Sequence, residues 1–145
     1  MFLKVWYKSD DIKHIEYKTS GSSGLDLSSS EEQIIPPGYH FLVKTGIHVA
    51  IPPGYEGQIR PRSGLALKHG ITVLNAPGTV DSDYRGEIGA ILINHSNNPY
   101  VIHKGDRIAQ LVICKVESCD IDTVESKEFL GDTDRKEGGF GSTGV

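Results

Sequence analysis

Carboxylate, hydroxyl and aromatic side chains are concentrated in residues 75–87, with the sequence Asn-Ala-Pro-Gly-Thr-Val-Asp-Ser-Asp-Tyr-Arg-Gly-Glu. The Pro-Gly pair at 77–78 predicts a tight turn, because proline fixes φ and glycine tolerates a positive φ. We therefore predict a hairpin in which Asp81 and Asp83 point to one side of an extended arm, opposite to Tyr84. The side chains on one side of this arm could face a ligand while those on the other side support the scaffold. The alternative is an ordinary polar hairpin without a ligand.

A second group of residues has the chemistry of a phosphate site. Arg60 and Arg62 directly precede a short helical pattern at 63–68, which begins with Ser63 and which Gly70 is expected to end. With Ser63 as the N-cap, the N–H groups of the first helical turn would remain available to a phosphate. Simple helix capping is the alternative interpretation.

Two polar residues interrupt apolar runs. Gln110 lies within the run 108–114, and a buried glutamine needs partners, which could be neighbouring backbone or a ligand. Asp26 lies between Leu25 and Leu27. It could bind a hydrated metal ion, or it could close an Asx-turn.

The composition changes at residues 131–145, which are rich in glycine and predict a mobile tail. Residues 139–144 match the pattern G-x-G-x-x-G but lack the strand and helix that a dinucleotide site needs around it. Phe140 could stack on a nucleobase, and a solvated terminus is the alternative. Phosphate oxygens could accept hydrogen bonds from the backbone and from Arg135, Ser142 and Thr143.

Short apolar runs bounded by glycine and proline predict an all-β domain, either a sandwich or a jelly-roll barrel. The Ile-Pro-Pro-Gly-Tyr sequence occurs at 35–39 and again at 51–55, where it predicts turns between strands. The predicted strands cover residues 3–7, 24–27, 39–44, 48–51, 56–60, 71–74, 88–94, 100–102 and 107–117.

Length and composition narrow the class of protein. The chain has 145 residues, which predicts one domain, and a net charge of -4, which gives no general attraction to nucleic acid or to an anionic membrane. No apolar run approaches the ~20 residues of a membrane span, and no secretion signal is evident, so we expect a cytoplasmic protein. Cys114 and Cys119 are expected to be reduced thiols, and no His/Cys metal site is expected.

The apolar runs 88–93 and 108–114 carry apolar side chains on both faces of their strands. In a small all-β domain one face normally meets water. We therefore expect the second face to be buried against another subunit.

Taken in order, five segments resemble the five motifs of the homotrimeric dUTP pyrophosphatases, or dUTPases. They lie around Asp26, at 60–66, at 75–87, at 105–110 and in the tail, and the resemblance extends from about Gly24 to Gly144. Each motif is weak alone, but five in sequence are specific. The resemblance implies a distorted jelly-roll-like β-barrel or sandwich of the β-clip type over residues 1–130, with residues 131–145 as a flexible lid.

The resemblance also implies an activity: hydrolysis of dUTP to dUMP and pyrophosphate by attack of water on the α-phosphorus of Mg-bound dUTP. Asp81 would orient and deprotonate the water, and Tyr84 would leave no room for a ribose 2'-hydroxyl. Asp26 would hold Mg²⁺ through water. Such an enzyme would limit uracil incorporation into DNA and supply dUMP for dTMP synthesis.

Other positions acquire roles from the same resemblance. The segment from Asn75 to Val80, including Gly78 and Thr79, would read uracil, while Asp83, Arg85 and Glu87 would form structural ion pairs. Each site of the homotrimer would draw on three subunits. The phosphate positions would be Arg62, Ser63, Gly64 and Gln110, and the lid positions would be Arg135, Gly139, Phe140, Gly141, Ser142 and Thr143.

Two other functions fit the same fold. A dCTP deaminase would need a glutamate base at the position that Asp81 occupies and a pocket of different polarity. A non-catalytic trimeric binding or signalling module would have no need of Asp81, Tyr84 and a complete tail.

Overall fold

The computed structural model describes residues 1–140, and within that range the chain forms ten strands, one short helix and one 3-10 turn. The helix α1 is Ser63–His69 and the 3-10 turn is Lys127–Leu130. The strands are β1 Lys4–Tyr7, β2 Leu25–Ser28, β3 Gln33–Ile35, β4 His40–Ala50, β5 Tyr55–Arg60, β6 Ile71–Val73, β7 Gly78–Val80, β8 Glu87–Asn94, β9 Tyr100–Ile102 and β10 Arg107–Lys115.

The strands form two antiparallel four-stranded sheets and a two-stranded ribbon. The first sheet has the order β1-β4-β8-β6, the second has the order β2-β10-β5-β7, and the ribbon pairs β3 with β9. Buried side chains from both large sheets belong to one core cluster, which includes Val43, Leu92, Ile59 and Leu111. The predicted all-β class is confirmed, and within residues 1–140 the sheets keep open edges instead of closing into a barrel.

The repeated Ile-Pro-Pro-Gly-Tyr sequence forms a turn at both positions, as predicted. The amide of Tyr39 donates to the carbonyl of Pro36 at 3.1 Å, and the amide of Tyr55 donates to the carbonyl of Pro52 at 3.2 Å. Gly38 has φ 78°, which a residue with a side chain rarely adopts. These turns lead into β4 and β5.

Strand β4 is a single bulged strand, whereas the sequence predicted separate strands at 39–44 and 48–51. Its pairing with β8 shifts register between Lys44 and Ile47. Gly46 lies in this bulge with φ 71°, and a Cβ on it would lie 2.5 Å from Ile12 Cδ1. Residues 45–47, which the sequence predicted as a break between two strands, therefore form a bulge within one strand.

The pairing implied by the predicted hairpin at 75–87 is wrong, because the strands on either side of its turn do not pair with each other. Strand β6 pairs with β8 in the first sheet, whereas β7 pairs with β5 in the second. Val73 and Val80 are both buried, each from its own sheet. Residues 74–77 therefore carry the chain from one sheet to the other.

Two smaller predictions concern the cysteines and membrane spans. Cys114 and Cys119 are both free thiols, as expected. No helix within residues 1–140 is long and apolar enough to cross a membrane.

Candidate active site

A cavity of about 220 Å³ lies where the crossing segment meets both sheets. Its apolar wall includes Ile59 of β5 and Ile91 of β8, and Asp81 and Tyr84 stand on its polar side. The cavity brings together Asn75, Gly78, Thr79, Val80, Asp81 and Tyr84, all of which the sequence predicted as site residues.

Strand β7 forms one side of the cavity as an edge strand. Its residues pair only with β5, through Gly78 with Ile59, Thr79 with Gln58, and Val80 with Gly57. In an antiparallel edge strand, alternate residues direct their N–H and C=O groups away from the ladder. The outer edge of β7 therefore offers backbone donors and acceptors to a bound ligand.

Gly78 allows Asn75 to pack against this strand. A Cβ on Gly78 would lie 3.2 Å from Asn75 Nδ2 and 3.4 Å from Ile59 Cβ. A side chain at residue 78 would crowd Asn75, which would have to move by a few tenths of an ångström. Both residues line the cavity.

Asp81 begins a turn at the end of β7. The amide of Tyr84 donates to the carbonyl of Asp81 at 3.2 Å, so residues 81–84 form a turn and not the predicted extended arm. The predicted alternation of side chains is therefore wrong here. Asp81 is exposed at the cavity, and its carboxylate forms no hydrogen bond with any part of residues 1–140.

The ring of Tyr84 folds back over its own segment. Its hydroxyl donates to the carbonyl of Glu87 at 3.1 Å, and about half of the residue is exposed. This hydrogen bond holds the ring beside the cavity.

The predicted ion pairs of Asp83, Arg85 and Glu87 are not formed within the described chain. Arg85 Nη1 donates to the carbonyls of Ser82 and Tyr84, both at 2.7 Å. Glu87 Oε1 accepts from the amide of Gly46 at 2.8 Å. Arg85 and Glu87 bind backbone because the turn and the β4 bulge present unpaired backbone groups to them.

A cluster of charges lies on β2, β10 and the loop before α1. Asp26 Oδ2 is 3.0 Å from Arg107 Nη1, and Asp26 Oδ1 is 3.5 Å from Arg62 Nε. Arg62 Nη1 also donates to the carbonyl of Arg107 at 3.0 Å. Arg107 was not predicted as a site residue, because the residues of this cluster are far apart in sequence.

Gln110 lies in β10 opposite Asp26 on one side and Arg60 on the other. Its Nε2 donates to the carbonyl of Pro61 at 3.0 Å, so its amide nitrogen has a backbone partner. A Cβ on Gly24 would lie 2.5 Å from Gln110 Oε1. Gly24 therefore leaves the space that the glutamine side chain occupies.

The N-cap of helix α1 is one residue earlier than predicted. Arg62 is the N-cap, with no side-chain capping bond, and its carbonyl accepts from the amide of Ala66 at 3.1 Å. Ser63 is therefore the first helical residue, and the prediction of a Ser63 cap is wrong. Gly64 has open space around it, and Gly70 ends the helix in the left-handed conformation, as predicted.

The described part of the tail makes few contacts. Arg135 Nε donates to the carbonyl of Gly138 at 2.7 Å, a Cβ on Gly139 would meet no atom within 4 Å, and Phe140 is fully exposed. The predicted residues Gly141, Ser142 and Thr143 lie outside the described residues. The lid role of this segment stays a prediction.

One chain therefore presents the predicted residues as separate groups. Asn75, Gly78, Thr79, Val80, Asp81 and Tyr84 line the cavity, whereas Asp26, Arg62 and Gln110 belong to the charged cluster with Arg107, and Ser63 and Gly64 lie beside it. Ala76 and Pro77 line a neighbouring pocket together with Gln110. Within residues 1–140, no hydrogen bond or ion pair joins the cavity residues to this cluster or to Arg135 and Phe140.

The charged cluster could hold magnesium through one carboxylate, with water molecules completing the coordination of the ion. Within residues 1–140 no group of three His, Cys, Asp or Glu side chains could hold an ion. Magnesium keeps several of its waters and is often held by one or two carboxylates together with substrate phosphates. Asp26 fits that mode, because a carboxylate has about four acceptor sites and the two arginines occupy only part of them.

The fold and these groups define an all-β protein of the nucleotide hydrolase type. The sequence profile of the dUTPase family matches residues 10–144. The deoxyuridine 5'-triphosphate nucleotidohydrolase of Nautilia profundicola is 59% identical over 99% of both chains. That of Anaeromyxobacter sp. is 53% identical over 97% of this chain and 94% of its own. This chain belongs to the dUTPase family.

Solved structures agree with this assignment. The dUTPase of Staphylococcus bacteriophage 80alpha, solved as a mutant with dUpNHpp, is 29% identical with a TM-score of 0.89, and each chain covers 99% of the other. A mutant dUTPase from phage phi11 of S. aureus, described with a structural Mg(II) ion, is 26% identical with a TM-score of 0.80 over 89% of this chain and all of its own.

Proposed function

We propose that this protein hydrolyses dUTP to dUMP and pyrophosphate, with the cavity at Asn75–Tyr84 holding the nucleoside and Asp81 activating the attacking water. Membership of the dUTPase family makes the chain a dUTP diphosphatase, a hydrolase. The observation that carries the assignment of the site is the cavity itself, because a backbone edge, a carboxylate and an aromatic ring converge there. The reaction would act on the cytoplasmic nucleotide pool, limiting uracil incorporation into DNA and supplying dUMP for dTMP synthesis.

Uracil would bind along the outer edge of β7. Its ring carries an N–H donor between two carbonyl acceptors, and an edge strand offers both kinds of partner. The side chain of Asn75 would add a further polar contact, since Gly78 lets it lie against the strand. Cytosine would leave buried polar groups unpaired, and such a loss discriminates by about 10⁴ or more.

Asp81 would act as the general base on the attacking water. Its carboxylate stands exposed at the cavity without a partner in residues 1–140, so it is available to a water molecule. The proton of the water would pass to a carboxylate oxygen as the new bond to the α-phosphorus forms and the pyrophosphate leaves. General-base help of this kind contributes about 10² to 10⁴ in rate.

The Tyr84 ring would pack against the deoxyribose. Because its hydroxyl is bound to the carbonyl of Glu87, the ring is held in one orientation beside the cavity. A ring fixed in this way would leave no space for a 2'-hydroxyl.

The triphosphate would bind at the charged cluster. Arg62 supplies positive charge, the first turn of the helix at Ser63 and Gly64 supplies N–H groups, and Gln110 supplies a side-chain amide. Asp26 would hold hydrated Mg²⁺, which supplies charge neutralisation on the phosphate oxygens when it is bound.

The tail would close over the bound nucleotide. Phe140 is fully exposed and therefore available to stack on uracil, and Arg135 is exposed on the same segment. Gly139, Gly141, Ser142 and Thr143 would add phosphate contacts. Closure would exclude water from the reacting groups and fix the triphosphate for attack.

A homotrimer would bring these groups into one site. Within residues 1–140 no hydrogen bond or ion pair joins the cavity side chains to those of Asp26, Arg62 and Gln110. Several large apolar side chains also remain exposed, including Leu42 at 57%, Ile121 at 93% and Leu130 at 72%. Exposed apolar surface of this kind often marks a subunit interface. Part of the second face of β8 already lines the cavity through Gly89 and Ile91.

The test is incubation of the full-length protein with dUTP and Mg²⁺, followed by assay of pyrophosphate and of dUMP. Release of both products in equal amounts is expected. No release above background would contradict hydrolysis and favour a non-catalytic module. Release of ammonia from dCTP would instead indicate a deaminase. The mass of the protein in solution would test the three-subunit assembly.

A further inference from the structure

The most informative unexplained residue beside the cavity is Gly86. A Cβ on Gly86 would lie 2.2 Å from the Tyr84 hydroxyl oxygen, 2.4 Å from Cζ and 2.8 Å from Cε2. Contacts below 3.0 Å are essentially never observed for a real Cβ. The ring of Tyr84 therefore lies directly over the position that a side chain at residue 86 would occupy.

Backbone conformation does not explain the glycine. The glycines with positive φ in residues 1–140 are Gly38, Gly46, Gly54, Gly70, Gly105 and Gly131, and Gly86 is not among them. A left-handed backbone is therefore not the reason for glycine at residue 86. The requirement for glycine is therefore one of space for the ring.

The clash involves the ring of Tyr84 itself. Two of the three close atoms belong to the aromatic ring and not only to the hydroxyl, so rotation of the hydroxyl cannot relieve it. A methyl group at residue 86 would displace the whole ring and break its hydrogen bond to the carbonyl of Glu87. The position of the cavity wall depends on the absence of a side chain two residues further along the chain.

We propose that Gly86 is a positioning residue that sets nucleotide specificity: it seats the Tyr84 ring where the ring excludes a ribose 2'-hydroxyl. The inference rests on the proposed function, in which Tyr84 packs against the sugar. A displaced ring no longer fills the space next to C2'. Residue 86 lies outside β7 and does not line the cavity, so we expect the uracil site on β7 and the base at Asp81 to be retained when it is replaced.

The test compares Gly86→Ala with the unaltered protein by measuring kcat/KM for dUTP and for UTP. The ratio of the two is expected to fall by about 10- to 100-fold, the range that small steric changes in a pocket produce. We expect most of this change to come from an increase in kcat/KM for UTP. Gly21→Ala is the matched control, because residue 21 has open space around it and no positive φ. An unchanged ratio in Gly86→Ala would overturn the inference.

A double variant tests whether the effect passes through the ring. In a Tyr84→Ala background, Gly86→Ala is expected to change the ratio no further, because the clashing ring is gone. A further fall would overturn the inference. If Gly86→Ala alone does not fold, Tyr84→Ala is expected to restore folding in the double variant, as judged by the thermal unfolding midpoint. A double variant that stays unfolded would also overturn it.

The unaltered protein separates this inference from the proposed function. If it hydrolyses UTP as well as dUTP, the sugar role of Tyr84 in the proposed function fails, and the inference fails with it. If it discriminates strongly and Gly86→Ala does so equally, only the role of Gly86 is wrong.

Discussion

The carboxylate of Asp26 accepts a charge-assisted hydrogen bond from Arg107, with 3.0 Å between Asp26 Oδ2 and Arg107 Nη1. The other carboxylate oxygen faces Arg62. Because the side chain of Asp26 is largely buried, this contact fixes β2 against the start of β10 and holds Arg62 at the loop before α1. The carboxylate of Asp26 therefore contacts both arginines of the charged cluster, Arg62 and Arg107.

Replacing Asp26 with asparagine tests this arrangement. Asp26→Asn keeps the shape of the side chain but removes the charge, leaving two arginines without their counter-ion. We expect a loss of about 1 kcal/mol in the free energy of unfolding, since Arg107 is partly exposed and screened by solvent. We also expect a higher Mg²⁺ concentration for half-maximal hydrolysis of dUTP. Asp10→Asn, at an exposed site, is the control, and an unchanged Mg²⁺ titration would contradict the role of Asp26.

Asp81→Asn tests the general base. Because the Asp81 carboxylate forms no hydrogen bond in residues 1–140, the substitution is expected to leave the thermal unfolding midpoint and the assembly unchanged. The rate of pyrophosphate release is expected to fall by about 10² to 10⁴. Asp83→Asn is the matched control in the same turn, and it should retain activity. Near-normal turnover by Asp81→Asn would remove Asp81 from the reaction.

Gly24→Ala tests the seating of Gln110. A Cβ at residue 24 would lie 2.5 Å from Gln110 Oε1, so the amide group of Gln110 must shift, and we expect this shift to weaken its bond to the carbonyl of Pro61. The change is expected to cost about 1–3 kcal/mol of stability, as overpacking usually does. It is also expected to raise KM for dUTP more than it lowers kcat. Gly21→Ala is the control, and wild-type values in both measurements would show that Gln110 adapts freely.

The sequence predicted β8 and β10 well because their apolar pattern is local. The run Ile88–Asn94 is rich in β-branched residues and forms most of β8. Strand β7, by contrast, has three residues, which is too short for alternation to be recognised, and its identity depends on pairing with β5. Glu87 was expected to pair with a charge, but the bulge in β4 brings the Gly46 amide to it from a distant part of the chain.

The difference between local patterns and contacts of distant residues also explains which residues of the candidate site the sequence did not predict. Asp81 and Tyr84 stand out by residue type within one motif. Gly24 and Gly86 act by lacking a side chain beside another residue, and a glycine in a sequence does not reveal which of its neighbours needs the space. The contact of Arg107 with Asp26 likewise appears only when β2 and β10 pair.

Truncation after Leu130 tests the lid. Residues 131–140 contribute no buried side chain. We therefore expect removal of the tail to leave the thermal unfolding midpoint and the number of subunits in the assembly unchanged. Hydrolysis of dUTP is expected to fall strongly, because no group would close over the uracil ring and the triphosphate. Phe140→Ala in the full chain should reproduce part of the loss, whereas Phe129→Ala, also exposed but outside the tail, should not. Normal turnover by the truncated protein would show that the site works without a lid.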